Sequence, residues 1–343
     1  MAAFVEGVII LLVLAGLALS VHLSRRRRRR RIQESRLLTS VLPTLDRESD
    51  PRSALDQLTA LPQHLRVPAV LRLADQVTGD ASVLLRAVAV EAGVTRVAES
   101  WCRRRRWRFR LRGVRTFSVL GGGEGVVPHL LDDRNPAVRA EAAAWVVTCP
   151  TAEHVDRLVL MLEDVEPLCA FTARDTLMRV GPAAAGPLAA YLAKPIGSRA
   201  AAALEVARGV AEPRLLAPGL LLCGDADPAV RVRAADLVSA VGGEAAVDRL
   251  THLLTRDDAP GVRAAAARGL GTMAHRPSAP ALADAMRDRS WEVRRAAALA
   301  LRALDAQGRL YLRRTLQGSD LYAADMARQV LELPEIGVEV LVP

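Results

Sequence analysis

The residues best suited to chemistry in this 343-residue chain are its aspartates, arginines and glycines, which recur in close order. Asp132, Asp133, Asp225, Asp227, Asp257, Asp258 and Asp288 are carboxylates that in pairs could do general acid–base work or hold a cation. Asp257 to Gly271 reads DDAPGVRAAAARGLG, with acids, an arginine and glycines gathered together. A catalytic constellation is usually written once, but this phrase is copied. It reads DRNPAVRAEAAAW from Asp133, DADPAVRVRAADL from Asp225 and DRSWEVRRAAALAL from Asp288. Copying assigns the aspartates to helix N-termini, where a carboxylate caps orphan N–H groups and meets the positive end of the helix dipole.

Other reactive side chains are present without partners at usable spacing. The six histidines (His22, His64, His129, His154, His252, His275) are scattered, and none is followed by glutamate, so no H-E-x-x-H zinc motif exists. Cys102, Cys149, Cys169 and Cys223 lie far apart with no C-x-x-C, as expected of small buried hydrophobes in a reducing compartment. Gly121-Gly122-Gly123-Glu124-Gly125 lacks both the G-x-G-x-x-G spacing and a G-K-[ST] ending, and reads as a turn. The expectation is a chain with no catalytic residue, no cofactor and no metal.

The arginines carry more information. Lys194 is the single lysine, so nearly all positive charge is guanidinium. Arg25, Arg26, Arg27, Arg28, Arg29, Arg30 and Arg31 form one run, and Arg103, Arg104, Arg105, Arg106, Arg108, Arg110, Arg112 and Arg115 form a second cluster. Without those fifteen, the formal net charge of +9 becomes −6, so the basicity is local. That excludes a chain coated throughout for nucleic acid. Arg103, Arg104, Arg106 and Arg110, with Arg25 to Arg31, are the candidate contacts for anionic lipid or a partner protein. The repeating Arg139, Arg231, Arg263 and Arg294 are instead expected to tie neighbouring units together through the aspartates or helix-end carbonyls.

The elements that position these residues follow from the copies. Pro136, Pro167, Pro195, Pro228, Pro260 and Trp291 are equivalent, at spacings of 31, 28, 33, 32 and 31 residues (the differences of their numbers). Proline suits the first helical position, where its missing N–H has no intrahelical partner. Val262, Ala266 and Leu270 then recur at i, i+4 and i+8 on one apolar face, with Gly271 expected to end the helix. A second apolar run follows each first helix, over 126–133, 154–164, 246–258 and 279–288. A period near 30 with helical content predicts an α-solenoid of paired helices, about eight in all. In the same register Trp107 takes the valine place and Arg108 the arginine place, turning Trp107, Leu111 and Val114 inward and Arg103, Arg106 and Arg110 outward.

On these repeats the chain resembles the HEAT-repeat family, in particular the short bacterial repeats of the phycobilisome-lyase type, over roughly 81–333. Around Pro167 and Pro195 the pattern departs, since Cys169-Ala170 and Gly197-Ser198 replace Val-Arg. The resemblance implies an all-α, right-handed solenoid. It also implies a membrane-anchored member, and some such proteins accompany membrane enzymes. Iron-binding HEAT-like hydroxylases use His-Glu pairs, which this chain lacks.

Residues 4–23, FVEGVIILLVLAGLALSVHL, have the length and apolarity of one transmembrane helix, and seven arginines follow at once. No basic residue precedes the stretch, so the positive-inside rule places the N-terminus outside and the solenoid in the cytoplasm. The expected organisation is an anchor over 1–24, a basic linker over 25–50, the solenoid over 51–333 with a degenerate cap at 51–80, and an extended tail over 334–343. Phe, Trp and Tyr together make only 3% of the chain, which leaves little for a pigment pocket and sets a lyase activity last. The reading is a non-catalytic scaffold at the inner membrane that binds a protein partner, with a membrane-associated enzyme as one candidate class. Anionic lipid is a second ligand class, metal is not expected, and nucleic acid is not the expected partner. The alternative is a lipid- or nucleic-acid-binding module acting through Arg103 to Arg115.

Overall fold

A computed structural model describes residues 51–194 and 200–333. The apolar stretch at 4–23, Arg25 to Arg31, the Pro195 anchor and the tail after 333 lie outside the described residues. Among the described residues the secondary structure is helical, without strands, and no helix is long and apolar enough to cross a membrane.

The fold divides into two compact units, ending and beginning between Thr148 and Cys149. The first contains α1 (Pro51–Thr59), α2 (Gln63–Ala74), α3 (Asp80–Glu91), α4 (Val94–Cys102), α5 (Trp107–Leu120) and α6 (Pro136–Trp145). The prolines of 51–80 do not all break helices, because Pro68 sits inside α2. Between α5 and α6 the second apolar run is only a short 3-10 turn, Pro128–Asp132, where a full helix was expected. The glycine segment is a turn: Gly121, Gly122 and Gly123 all have φ between +78° and +92°, a region that L side chains rarely adopt. Buried Trp145 donates from Nε1 to the Gly122 carbonyl at 2.8 Å, fixing that turn against α6.

The second unit contains α7 (Ala152–Met161), α8 (Pro167–Val180), α9 (Ala185–Leu192), α10 (Ala200–Val210), α11 (Leu216–Leu222), α12 (Pro228–Val241), α13 (Glu244–Arg256), α14 (Pro260–Thr272), α15 (Ala279–Ala285), α16 (Trp291–Ala303), α17 (Asp305–Leu316) and α18 (Leu321–Glu332). Its helices form two layers. The even-numbered helices from α10 to α18 pack each on the next, while the odd-numbered helices form the other layer.

Packing explains the composition. Val230, Val262 and Val293 are fully buried at equivalent places, and Cys169 fills that place on α8 as a small hydrophobe. Alanine and glycine let α14 approach α16 closely. A Cβ added at Gly271 would stand 2.8 Å from the Cα and Cβ of Ala300. Gly271 lies within α14, so its role is this close approach and not the helix end that its position in the phrase suggested.

Candidate functional site

Two arginine systems emerge from the fold. The first is a ladder of forked contacts. Arg231 on α12 donates from Nε and Nη2 to Asp257 Oδ2 and Oδ1, both at 2.8 Å. Its third nitrogen, Nη1, donates to the Asp225 carbonyl at 2.9 Å. Arg263 on α14 repeats the arrangement, with Asp288 at 2.7 and 2.9 Å and the Asp257 carbonyl at 2.8 Å. Each aspartate also accepts from the backbone N–H two residues on: Asp133 from Asn135, Asp225 from Asp227, Asp257 from Ala259 and Asp288 from Ser290, at 2.8 to 2.9 Å. These acids therefore stand just ahead of the helix caps, holding the turn from which the helix starts.

The paired groups are almost dry. The Arg263 and Asp288 side chains are 8% and 13% exposed. Burial pushes the carboxyls of Asp257 and Asp288 up, but the arginine forks and the backbone N–H groups outweigh it and hold both below the usual carboxylate range. Arg139 donates from Nη1 to the Asp133 carbonyl at 2.9 Å, and Arg294 to the Asp288 carbonyl at 2.8 Å. The same fork-on-carbonyl logic recurs off the ladder. Arg66 reaches the carbonyls of Thr59, Leu61 and Ala92, and Arg302 those of Val330 and Leu333 at the C-terminal end of α18.

The second system is the basic cluster, and here the sequence register needs correcting. Helix α5 starts at Trp107, which takes the proline place, so Phe109 occupies the valine place and Arg110 the arginine place. Arg110 accordingly turns inward, although it was expected on the outer flank. It donates to Asp133 Oδ2 and Oδ1 at 2.5 and 2.7 Å, and its side chain is 16% exposed. Its Nη1 holds the carbonyls of Arg104 and Arg105 at 3.0 and 2.6 Å, clamping the loop between α4 and α5. Arg110 is thus committed to Asp133 and the loop while still lining the opening beside them. Trp107, expected inside, is 38% exposed, while Val114 is buried as anticipated and Phe117 joins it.

Arg103, Arg104 and Arg106 are exposed on the clamped loop. Beside it opens a cavity of about 570 Å³, walled by Arg105, Arg106, Arg108, Arg110, Arg112 and Arg134 around Trp107. Arg134 was missed from the sequence because it lies 22 residues after Arg112 and belongs to the following repeat. The turn before α6 brings it back. Arg108 lies over the Trp107 ring at 5.6 Å from its centroid.

The nucleophile and metal inventory is separate from both systems. Among the described residues, no three of His, Cys, Asp and Glu stand together to hold a metal ion. His154 Nδ1 is engaged with the Cys149 carbonyl at 2.8 Å, and His275 Nδ1 with Ser278 Oγ at 2.8 Å. Burial pushes the Cys102 thiol up to about 12 and that of Cys223 up to about 11.

Residues 187–271 and 253–331 match the model of HEAT repeats, so this stretch of the second unit is built of them. Among solved structures, the chain is similar to Kap121p bound to Nup53p, with a TM-score of 0.55 and 14% identity over 87% of this chain and 40% of that one. It is equally similar to the karyopherin Kap121p bound to the extreme C-terminus of the protein phosphatase Cdc14p, with a TM-score of 0.55, 14% identity and the same coverage. The likeness is one of fold, and the chain spans about two fifths of the Kap121p chains it matches. No curated protein matches the chain.

Proposed function

We propose that this chain is a non-catalytic scaffold, anchored in the membrane by its N-terminal apolar stretch, whose HEAT repeats bind a protein partner at the cytoplasmic face. The observation that carries the reading is an apolar strip on the α7–α8 hairpin. Val165 is 94% exposed, Phe171 70%, Leu160 56% and Leu168 55%. Large apolar side chains left exposed in close succession mark surfaces that another protein covers. Helix stacks offer long faces for such contacts, and a partner's aromatic or aliphatic anchors would meet Phe171 and Leu168. Kap121p, similar in fold, is bound to Nup53p and to the extreme C-terminus of Cdc14p in the structures above, which supports a protein partner for this chain as well. The anchor and the cytoplasmic placement rest on the apolar run 4–23 and the seven arginines behind it.

The test is crosslinking and affinity capture of the full-length protein from its native membrane, beside a Leu168→Asp/Phe171→Asp variant with unchanged helical signal. The variant is expected to lose the captured protein. An identical set of captured proteins from both would overturn the assignment of this strip. For topology, a reporter fused after Pro343 is expected to be active in the cytoplasm, and activity confined to the periplasm would reverse the orientation.

A further inference from the structure

The cavity beside the α4–α5 loop is not needed for stacking. Of the six arginines around it, Arg110 serves the ladder and the other five take no part in it. Arg105, Arg106, Arg108, Arg112 and Arg134 are all exposed, and no carboxylate pairs with any of them among the described residues. Of the two acids on the nearby turn, Asp132 and Asp133, the second is already engaged by both oxygens with Arg110. Five guanidiniums around one concavity repel one another, and bulk counterions screen that repulsion only partly at separations below a Debye length of about 8 Å. An anion seated among them would relieve it.

The loop is held ready for such a ligand. Arg110 grips the carbonyls of Arg104 and Arg105 while itself anchored on Asp133, so the backbone carrying Arg105 and Arg106 is tied to the following repeat. The first turn of α5 carries no acidic residue and its cap position, Arg106, makes no side-chain cap bond, leaving the positive end of a 14-residue helix turned to the same opening. Trp107 supplies an apolar wall, and a volume of about 570 Å³ suits a small ligand or a headgroup.

We propose that this cavity binds a phosphate-bearing anion. A single carboxylate would neutralise one of the five charges, whereas a phosphate monoester or diphosphate carries two or more and presents several oxygens to forked donors. The phosphoryl group could sit on a soluble molecule or on a lipid headgroup, and the chemistry of recognition is the same for both. The inference stands independently of the protein-partner reading.

The test uses the full-length protein in neutral detergent micelles, titrated by calorimetry with inorganic pyrophosphate and, separately, with dihexanoyl phosphatidic acid. An Arg106→Gln/Arg108→Gln/Arg134→Gln variant provides the comparison and leaves Arg110 in place. Wild type is expected to bind at least one probe, and the variant to bind it at least about tenfold more weakly, with the difference shrinking as salt rises. Binding of pyrophosphate assigns a soluble ligand, and binding of phosphatidic acid alone assigns a headgroup. Should the triple variant unfold, Arg105→Gln/Arg112→Gln serves in its place. Failure of both probes, equal affinities in wild type and variant, or hexaglutamate binding as tightly as pyrophosphate would overturn the proposal, the last in favour of an acidic protein segment.

Discussion

Arg263 and Asp288, 25 residues apart in sequence, face each other across α14 and the turn before α16 with two parallel hydrogen bonds of 2.7 and 2.9 Å. The third nitrogen of the same guanidinium holds the carbonyl of Asp257, whose side chain in turn receives Arg231. Asp133, Asp257 and Asp288 thus each serve two arginines, one through the carboxylate and one through the carbonyl. Removing one partner of such a nearly dry pair leaves the other charged and unpaired. Arg263→Gln is expected to destabilise the fold by about 3 kcal/mol in urea unfolding, while a change under about 0.5 kcal/mol would show that the ladder is ornamental.

Acid should weaken the same joints. The carboxyls of Asp257 and Asp288 titrate below their ordinary value of 3.8 in the folded chain. A depressed folded pKa means that the stabilisation is fully present above the ordinary value and is lost as pH falls through the lower, folded one. The urea midpoint is therefore expected to hold down to about pH 5 and then fall. Asp288→Asn, already without the charge, should start lower and fall less steeply, and parallel curves would refute this account.

Two glycines should respond with opposite sign. At Gly271 a methyl group would meet the backbone and Cβ of Ala300 at 2.8 Å, and neither can swing away. Gly271→Ala is expected to cost about 1–3 kcal/mol. Gly186 on α9 has no neighbour within 4 Å of an added Cβ, so Gly186→Ala should stabilise by about 0.5–1 kcal/mol through the unfolded chain. Thermal unfolding of the two variants separates packing from propensity, and the same sign for both would contradict the close approach of α14 and α16.

The thiols provide a probe of burial. Cys102 and Cys223 are pushed up to about 12 and 11, and both are buried, so neither offers an accessible thiolate near neutral pH. Maleimide at about pH 8 is expected to label them only after denaturation, whereas half-buried Cys149 should react first. Rapid native labelling of Cys102 would show that the α4–α5 region opens.

The helical repeat was legible in the sequence because proline, valine and arginine return at fixed places and each has a local physical reason to do so. Where those markers are missing, the reading slipped. Trp107 begins α5 without a proline to announce it, which displaced the register by two residues and sent Arg110 to the wrong side. The run at 126–133 is apolar enough for a helix, but Pro128 and the glycine turn leave room only for Pro128–Asp132. The basic cluster itself was plain in sequence. Its division into one inward clamp and a walled cavity was not, since it depends on Asp133 and Arg134 from the following repeat. Contacts between helices of one layer, such as Gly271 on Ala300, leave no mark on a single helix's pattern.

The ladder also has a direction. Arg231 and Arg263 each point toward the next repeat, and at Arg294 the series changes: Gly318 stands two residues ahead of the Asp320 cap of α18, and the Arg294 guanidinium lies over the Tyr322 ring at 5.4 Å. The joints at Asp257 and Asp288 are interchangeable. Asp257 and Asp288 occupy equivalent places, so excising residues 257–287 would set Arg231 before Asp288 at the same 26-residue separation it now keeps from Asp257. This stretch of the second unit is in that sense a polymer whose monomers share one coupling chemistry. Its reach can be lengthened or shortened by whole repeats, and by nothing smaller.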